Sequence, residues 1–112
     1  MPDQLLQLNR VFQALADPTR RAVLERLGAG PVPMSELARP FDMALPSFAQ
    51  HLDVLESCGL VRSRKAGRVR TYRLVPRRLQ SAERWLEKQR ATWDRRLDQL
   101  DGYLLTMKEQ NK

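Results

Sequence analysis

At 112 residues the chain can bury one hydrophobic core but not two, which excludes a catalytic domain with a separate substrate domain. Its 20 Lys and Arg outnumber its 13 Asp and Glu, for a net charge of +7, and 42% of its residues are hydrophobic. The excess charge is local. Between Ser57 and Ala82 stand Arg62, Arg64, Lys65, Arg68, Arg70, Arg73, Arg77 and Arg78 with no acidic residue, and the remainder of the chain is close to neutral. A dense block of one sign suggests a surface for an anionic partner, where diffuse charge would suggest only solubility. Asp3 near the start, and the lack of any apolar run near the roughly 20 residues needed to cross a bilayer, predict neither a signal peptide nor a membrane span, hence a cytoplasmic protein. The lone Cys58 has no disulfide partner and no metal-site spacing, so it is expected to be a small buried side chain.

Leu5, Leu8, Phe12 and Leu15 recur at spacings of three and four and predict a first helix ending before Asp17-Pro18. Asp17 is placed to cap a second helix that opens on Pro18, whose missing N–H has no intrahelical partner at that position. This helix presents Val23, Leu24 and Leu27 to the core and stops at Gly28, a residue suited to a positive-φ cap. Residues 29–33 read as a connector. Two short helices follow, Ser35 to Arg39 and then one opening near Pro46, with Phe48, Leu52 and Leu55 on one side and Cys58-Gly59 closing it. Two short helices joined by a tight turn, here over residues 34–57, outline a helix-turn-helix whose second helix fits a major groove.

Residues 60–75 change period. Val61, Val69, Thr71 and Tyr72 around Ala66-Gly67 predict a two-stranded hairpin, with Lys65 and Arg68 flanking the turn and Arg64 and Arg70 behind them. Ala66 would be strained in a two-residue primed turn, so a longer loop and other registers stay open. From 77 to 110 helical spacing returns, with Leu79, Leu86, Trp93, Leu100 and Met107 at intervals of seven, joined by Ala82, Trp85, Leu97, Tyr103 and Leu104. A domain this small cannot cover so long a stripe. With the first helix (residues 1–16), it predicts a two-fold dimer in which Leu5, Leu8, Phe12, Leu86, Trp93, Leu97, Leu100 and Leu104 form the interface. Asp94, Asp98 and Asp101 are interleaved with Arg90, Arg95 and Arg96, and ion pairing accounts for them.

On the groove-sized helix, Gln50 has the amide that pairs bidentately with adenine, and Ser47 can bond a base or a phosphate near the helix N-terminus. Arg62, Arg64, Lys65, Arg68 and Arg70 are candidate phosphate contacts. His51, the single histidine, is either a packing residue at the helix rim or a phosphate contact, and alone it cannot build a multi-histidine zinc site. No nucleophile–base pair, phosphate-cradling glycine loop or metal cluster is apparent, so neither an enzyme nor a cofactor is expected.

Four segments together resemble a known family. Ala14-Leu-Ala-Asp-Pro-Thr-Arg20, Ser35-Glu-Leu-Ala38, His51-Leu-Asp-Val-Leu-Glu-Ser-Cys-Gly-Leu-Val61 and Gly67-Arg-Val-Arg-Thr-Tyr-Arg-Leu74 are similar, in order and spacing, to winged helix-turn-helix repressors of the ArsR type. The resemblance covers nearly the whole chain and implies a mainly α fold with a small β-hairpin (α+β). It also implies a homodimer held by the first and last helices, binding double-stranded DNA and usually repressing its own operon; the leading expectation is that it represses by promoter occlusion. The family's DNA contacts carry over to Ser47, Gln50 and the stretch from Arg64 to Arg70. Ala44 and Ala49 stand where the family commonly has serines, removing a cap and one contact. The metal-sensing members have a cysteine pair where this chain reads Ser35-Glu-Leu-Ala-Arg39, or His and Asp ligands on a last helix that here contains no His. The resemblance is therefore to the branch without those ligands, and no effector site is visible in the sequence. Two other readings compete with duplex binding. One is a protein-interaction module with a docking coil and a basic patch for an acidic partner. The other is an RNA binder, which has little support because Tyr72 is the hairpin's single aromatic residue.

Overall fold

In a computed structural model, which describes residues 3–110, helices α1 (Asp3–Leu15) and α2 (Pro18–Leu27) are followed by strand β1 (Val32–Pro33). Next come α3 (Met34–Ala38), α4 (Leu45–Ser57), β2 (Val61–Ala66), β3 (Val69–Leu74) and the 35-residue α5 (Pro76–Gln110). By its contacts the chain falls into two units, residues 1–82 and residues 83–112. The fold is mainly helical with a small antiparallel sheet, as in a winged helix-turn-helix.

The first unit owes its helix boundaries to local chemistry. Asp17 caps α2, its carboxylate accepting from the Arg20 N–H at 3.0 Å, with Pro18 at the first position. Gly28 ends α2 in a right-handed conformation (φ −60°), not the expected positive φ; the chain turns two residues later at Gly30 (φ 141°). The N-cap of α4 is Ala44, which makes no side-chain capping bond, so that end relies on Pro46 and on packing. Its other end is a Schellman motif. Gly59 adopts φ 82°, its N–H bonds the Glu56 carbonyl at 3.1 Å, and the Leu60 N–H bonds that of Leu55 at 3.0 Å. This closure turns the chain directly from α4 into β2.

Phe48, Leu52 and Leu55 of α4 are fully buried among Val11, Ala14, Val23, Leu37, Leu60 and Val61. Each such side chain contributes about 1.5–3 kcal/mol relative to exposure. The Phe41 ring lies against Phe48, centroids 5.2 Å apart.

The sheet has three strands in the order β1-β3-β2, where the sequence predicts two. Residues 32 and 33 of the expected connector pair with β3, Val32 opposite Tyr72 and Pro33 opposite Thr71. Proline is tolerated there because β1 is an edge strand. Between β2 and β3, Ala66 pairs with Val69, so the turn is Gly67-Arg68 rather than Ala66-Gly67. Gly67, at φ 62°, supplies the positive φ that Ala66 could not hold without strain.

In the second unit, α5 carries Leu86, Trp93, Leu97, Leu100 and Leu104, each more than half exposed. Arg90 and Asp94 form an i,i+4 ion pair at 3.8 Å. No helix among the described residues is long and apolar enough to cross a membrane.

Candidate nucleic-acid interface

With Phe48, Leu52 and Leu55 turned into the core, helical geometry leaves Ser47, Gln50, Asp53 and Ser57 on the outer side of α4, and all four are exposed. Ser47 and Gln50 lie toward the N-terminal half, where amides and small polar side chains can approach a base edge or a phosphate together.

His51 has a different environment. Its Nδ1 lies 3.7 Å from the Asp17 carboxylate and 3.3 Å from an Arg20 guanidinium nitrogen, and its side chain is only 24% exposed. Arg20 in turn donates to the Ala14 and Gln13 carbonyls at 2.8 and 3.1 Å. These contacts tie the end of α1 and the start of α2, through His51, to the middle of α4. The Arg20 N–H bond is the main cause that holds the Asp17 carboxyl below its ordinary range. Burial opposes this, and His51 and the Arg20 charge reinforce it.

The register divides the basic block. Alternation along β2 and β3 puts Arg62, Arg64 and Arg73 on one face of the ribbon and Lys65 and Arg70 on the other, with Lys65 directly opposite Arg70. Arg68 sits in the turn itself. Arg64, Lys65, Arg68 and Arg70 are all exposed at or near the tip. Arg62, at the base of β2, instead lines a cleft with Arg78 and Gly59.

Sequence reasoning missed the anchor of the wing. The Glu56 carboxylate accepts from the Ser63 N–H at 2.8 Å and from its hydroxyl at 2.7 Å, while Arg70 donates to the Ser63 oxygen at 2.9 Å. This chain fixes the orientation of β2 against the last turn of α4. The available signal was position, since Glu56 is the last acid before the basic block. Tyr72 is buried behind this contact, and that burial, with the Glu56 charge, pushes its phenol pKa up. Cys58 is buried as expected, and desolvation raises its thiol pKa, leaving it an inert packing group.

A model of a helix-turn-helix domain matches residues 15–64, from the end of α1 to the middle of β2. Over 68 residues the chain is 50% identical to the HTH-type transcriptional regulator Rv2034 of Mycobacterium tuberculosis, a match covering 61% of this chain and 64% of that protein. It is 32% identical to the transcriptional repressor SdpR of Bacillus subtilis over 70% of this chain and 88% of the repressor. The crystal structure of an ArsR family transcriptional regulator superposes with a TM-score of 0.79 at 53% identity, covering 84% of this chain and 97% of that one. The chain belongs to the ArsR family of transcriptional regulators.

The ArsR family is one of regulators rather than enzymes. A further neighbour is the homodimeric winged helix-turn-helix DNA-binding domain of a Mycobacterium bovis protein described as a possible ArsR-family regulator, 28% identical, with a TM-score of 0.61 and coverage of 87% of this chain and 91% of that one. As for metal sensing, residues 35–39 of this ArsR-family chain contain no cysteine, and among the described residues no three His, Cys, Asp or Glu side chains converge on a possible metal site.

Proposed function

We propose that the chain is one winged helix-turn-helix domain acting as a homodimeric, sequence-specific repressor, placing α4 of each copy in a major groove and the two wings on the flanking phosphates. The observation that carries this reading is the continuity from the exposed Ser47 and Gln50 of α4, through the Schellman turn at Gly59, into a wing tip bearing Arg64, Lys65, Arg68 and Arg70. The Glu56–Ser63 bonds tie the reading helix to the wing, which favours a common register for base contacts and phosphate contacts. Repression by occluding a promoter in the cytoplasm follows from such a dimer lying across polymerase-binding DNA.

Dimerisation rests on two separate apolar surfaces. Leu5 is half exposed on α1, where Leu8 and Phe12 also pack partly against their own core. On α5, Leu86, Trp93, Leu97, Leu100 and Leu104 form a stripe at near-heptad spacing, the pattern that a partner helix covers. The M. bovis neighbour, described as homodimeric, supports the same assembly.

The test is salt-dependent binding to duplex DNA from the chain's own upstream region. With about six to ten phosphates neutralised per dimer, log affinity should fall with log salt at a slope of roughly −5 to −9. Replacing Arg64, Lys65 and Arg68 with Ala should weaken binding to every duplex and flatten that slope. An unchanged slope would remove the wing from the interface. Sedimentation of the chain as a monomer would contradict the dimer and favour the protein-interaction reading of α5.

A further inference from the structure

Arg62 and Arg78 of the basic block have no role in the duplex contacts above and line a cleft instead. Two adjoining clefts, of about 470 and 230 Å³, open between α1 and the C-terminal end of α4. Arg10, Ser57 and Cys58 line both; Arg20 borders the larger, and Arg62 and Arg78 the smaller. The smaller cleft thus has three guanidiniums, Arg10, Arg62 and Arg78, and one carboxylate, Glu56, whose Oε2 is already engaged by the Ser63 N–H and hydroxyl.

The four arginines are not equivalent. Arg20 is committed to the Ala14 and Gln13 carbonyls and to His51. Arg78 is half-buried and held in place. It donates to Gln7 Oε1 at 2.5 Å, and its stem lies so close over Gly59 that a Cβ there would stand 3.1 Å from its Cγ and 3.2 Å from its Nε. Arg10 and Arg62 have no hydrogen bond or ion pair among the described residues. Arginines beside a helix C-terminus commonly serve its free carbonyls. Here the Val54, Leu55 and Glu56 carbonyls, three of the last four of α4, are taken by the amides of Cys58, Leu60 and Gly59, so most of that role is already filled.

The cleft also stands clear of the proposed dimer face. At 100° per residue, Gln7, Arg10 and Gln13 run along one flank of α1, and Leu5 and Phe12 occupy another. Along α4, Ser57 lies seven residues beyond Gln50, about 10 Å at ~1.5 Å per residue.

We propose that this cleft is a binding site for a small organic anion bearing carboxylate or phosphate groups. Arg10 and Arg62 close on the charge, Arg78 forms the fixed wall, and the Gln7 amide N–H₂, its oxygen being occupied, donates to the ligand. The smaller cleft has the volume of roughly eight waters at ~30 Å³ each, which suits a small acid or a sugar phosphate rather than a peptide or a nucleic-acid strand. The site stands on these residues alone and does not depend on the DNA-binding reading.

The experiment is a titration of the full-length ¹⁵N-labelled chain with citrate and, separately, with inorganic phosphate, followed by amide chemical shifts. Saturable movement of the Arg10, Cys58 and Gly59 signals at low-millimolar concentration or tighter is expected with at least one probe, and which probe binds identifies the preferred head group. The variant Arg10→Gln/Arg62→Gln, whose own spectrum reports that it is folded, should lose affinity about tenfold or more, since each charge-assisted bond is worth at least a factor of ten. Substituting Arg64, Lys65 and Arg68 with Gln should leave the titration unchanged. Shifts confined to the wing, an absence of saturation with both probes, or unaltered affinity in the double variant would each overturn the proposal. So would a double variant that keeps its citrate or phosphate affinity and loses duplex binding, which would assign the two arginines to the DNA backbone.

Discussion

Helix α4 and the part of α5 beyond residue 82 share a sequence pattern and differ in burial. Both carry apolar residues at spacings of three and four. Yet Phe48, Leu52 and Leu55 are 0% exposed, whereas Trp93, Leu97, Leu100 and Leu104 are exposed by half or more. Periodicity states that one face of a helix needs cover; it does not state which chain supplies it. In the first unit the cover is α1, α2, α3 and the sheet, while in the proposed dimer the stripe of α5 is covered by a second molecule.

That contrast predicts opposite responses to similar truncations. Trp93→Ala combined with Leu100→Ala removes four side chains from a dimer, each worth about 1.5–3 kcal/mol when fully buried. Sedimentation should then show a folded monomer, and the melting temperature should lose its dependence on protein concentration. Phe48→Ala has no second chain to lose. It should cost about 3–5 kcal/mol of folding free energy in urea denaturation, at any protein concentration. If the α5 variant unfolded the first unit as well, the distinction between the two helices would fail.

Smaller effects sharpen the account of α4. Gln50→Ala, an exposed change, should leave stability unaltered and shift base preference at one position in each half-site by about 1–3 kcal/mol, read by binding-site selection. Asp17→Ala removes the cap of α2 and should cost about 1 kcal/mol near neutral pH. Because the folded Asp17 carboxyl is held below its ordinary value, its contribution is complete above that ordinary value and is lost as pH falls through the folded one. The gap between wild type and Asp17→Ala should therefore close on acidification in pH-dependent unfolding curves.

Most of the helical frame was legible in the sequence, because its signals are local: Asp17-Pro18 at one cap, Gly59 at another, and the spacing of Phe48, Leu52 and Leu55. Strand β1 was not. It consists of two residues, Val32 and Pro33, and only their pairing with Tyr72 and Thr71, about forty positions away, makes it a strand. The turn was displaced by one residue, since Gly67 can begin a tight turn as well as end one and only the pairing of Ala66 with Val69 decides. That register also decides how the basic block is shared. A net charge on a stretch of sequence carries no face, so the division of Arg62, Arg64 and Arg73 from Lys65 and Arg70 becomes visible only once β2 and β3 are aligned, and the meeting of Arg62 with Arg78 of α5 only in the folded chain. His51 is similar: nothing in its neighbouring residues announces that Asp17 and Arg20, more than thirty positions earlier, would hold its ring.

The claim on which the account turns is that two copies place their α4 helices on one duplex. Footprinting the chain on its own upstream DNA tests this most directly. The account predicts two protected half-sites related by dyad symmetry, with centres about one helical turn, roughly 10 base pairs, apart. Protection of a single unpaired site, or none at concentrations where the chain is dimeric, would contradict it.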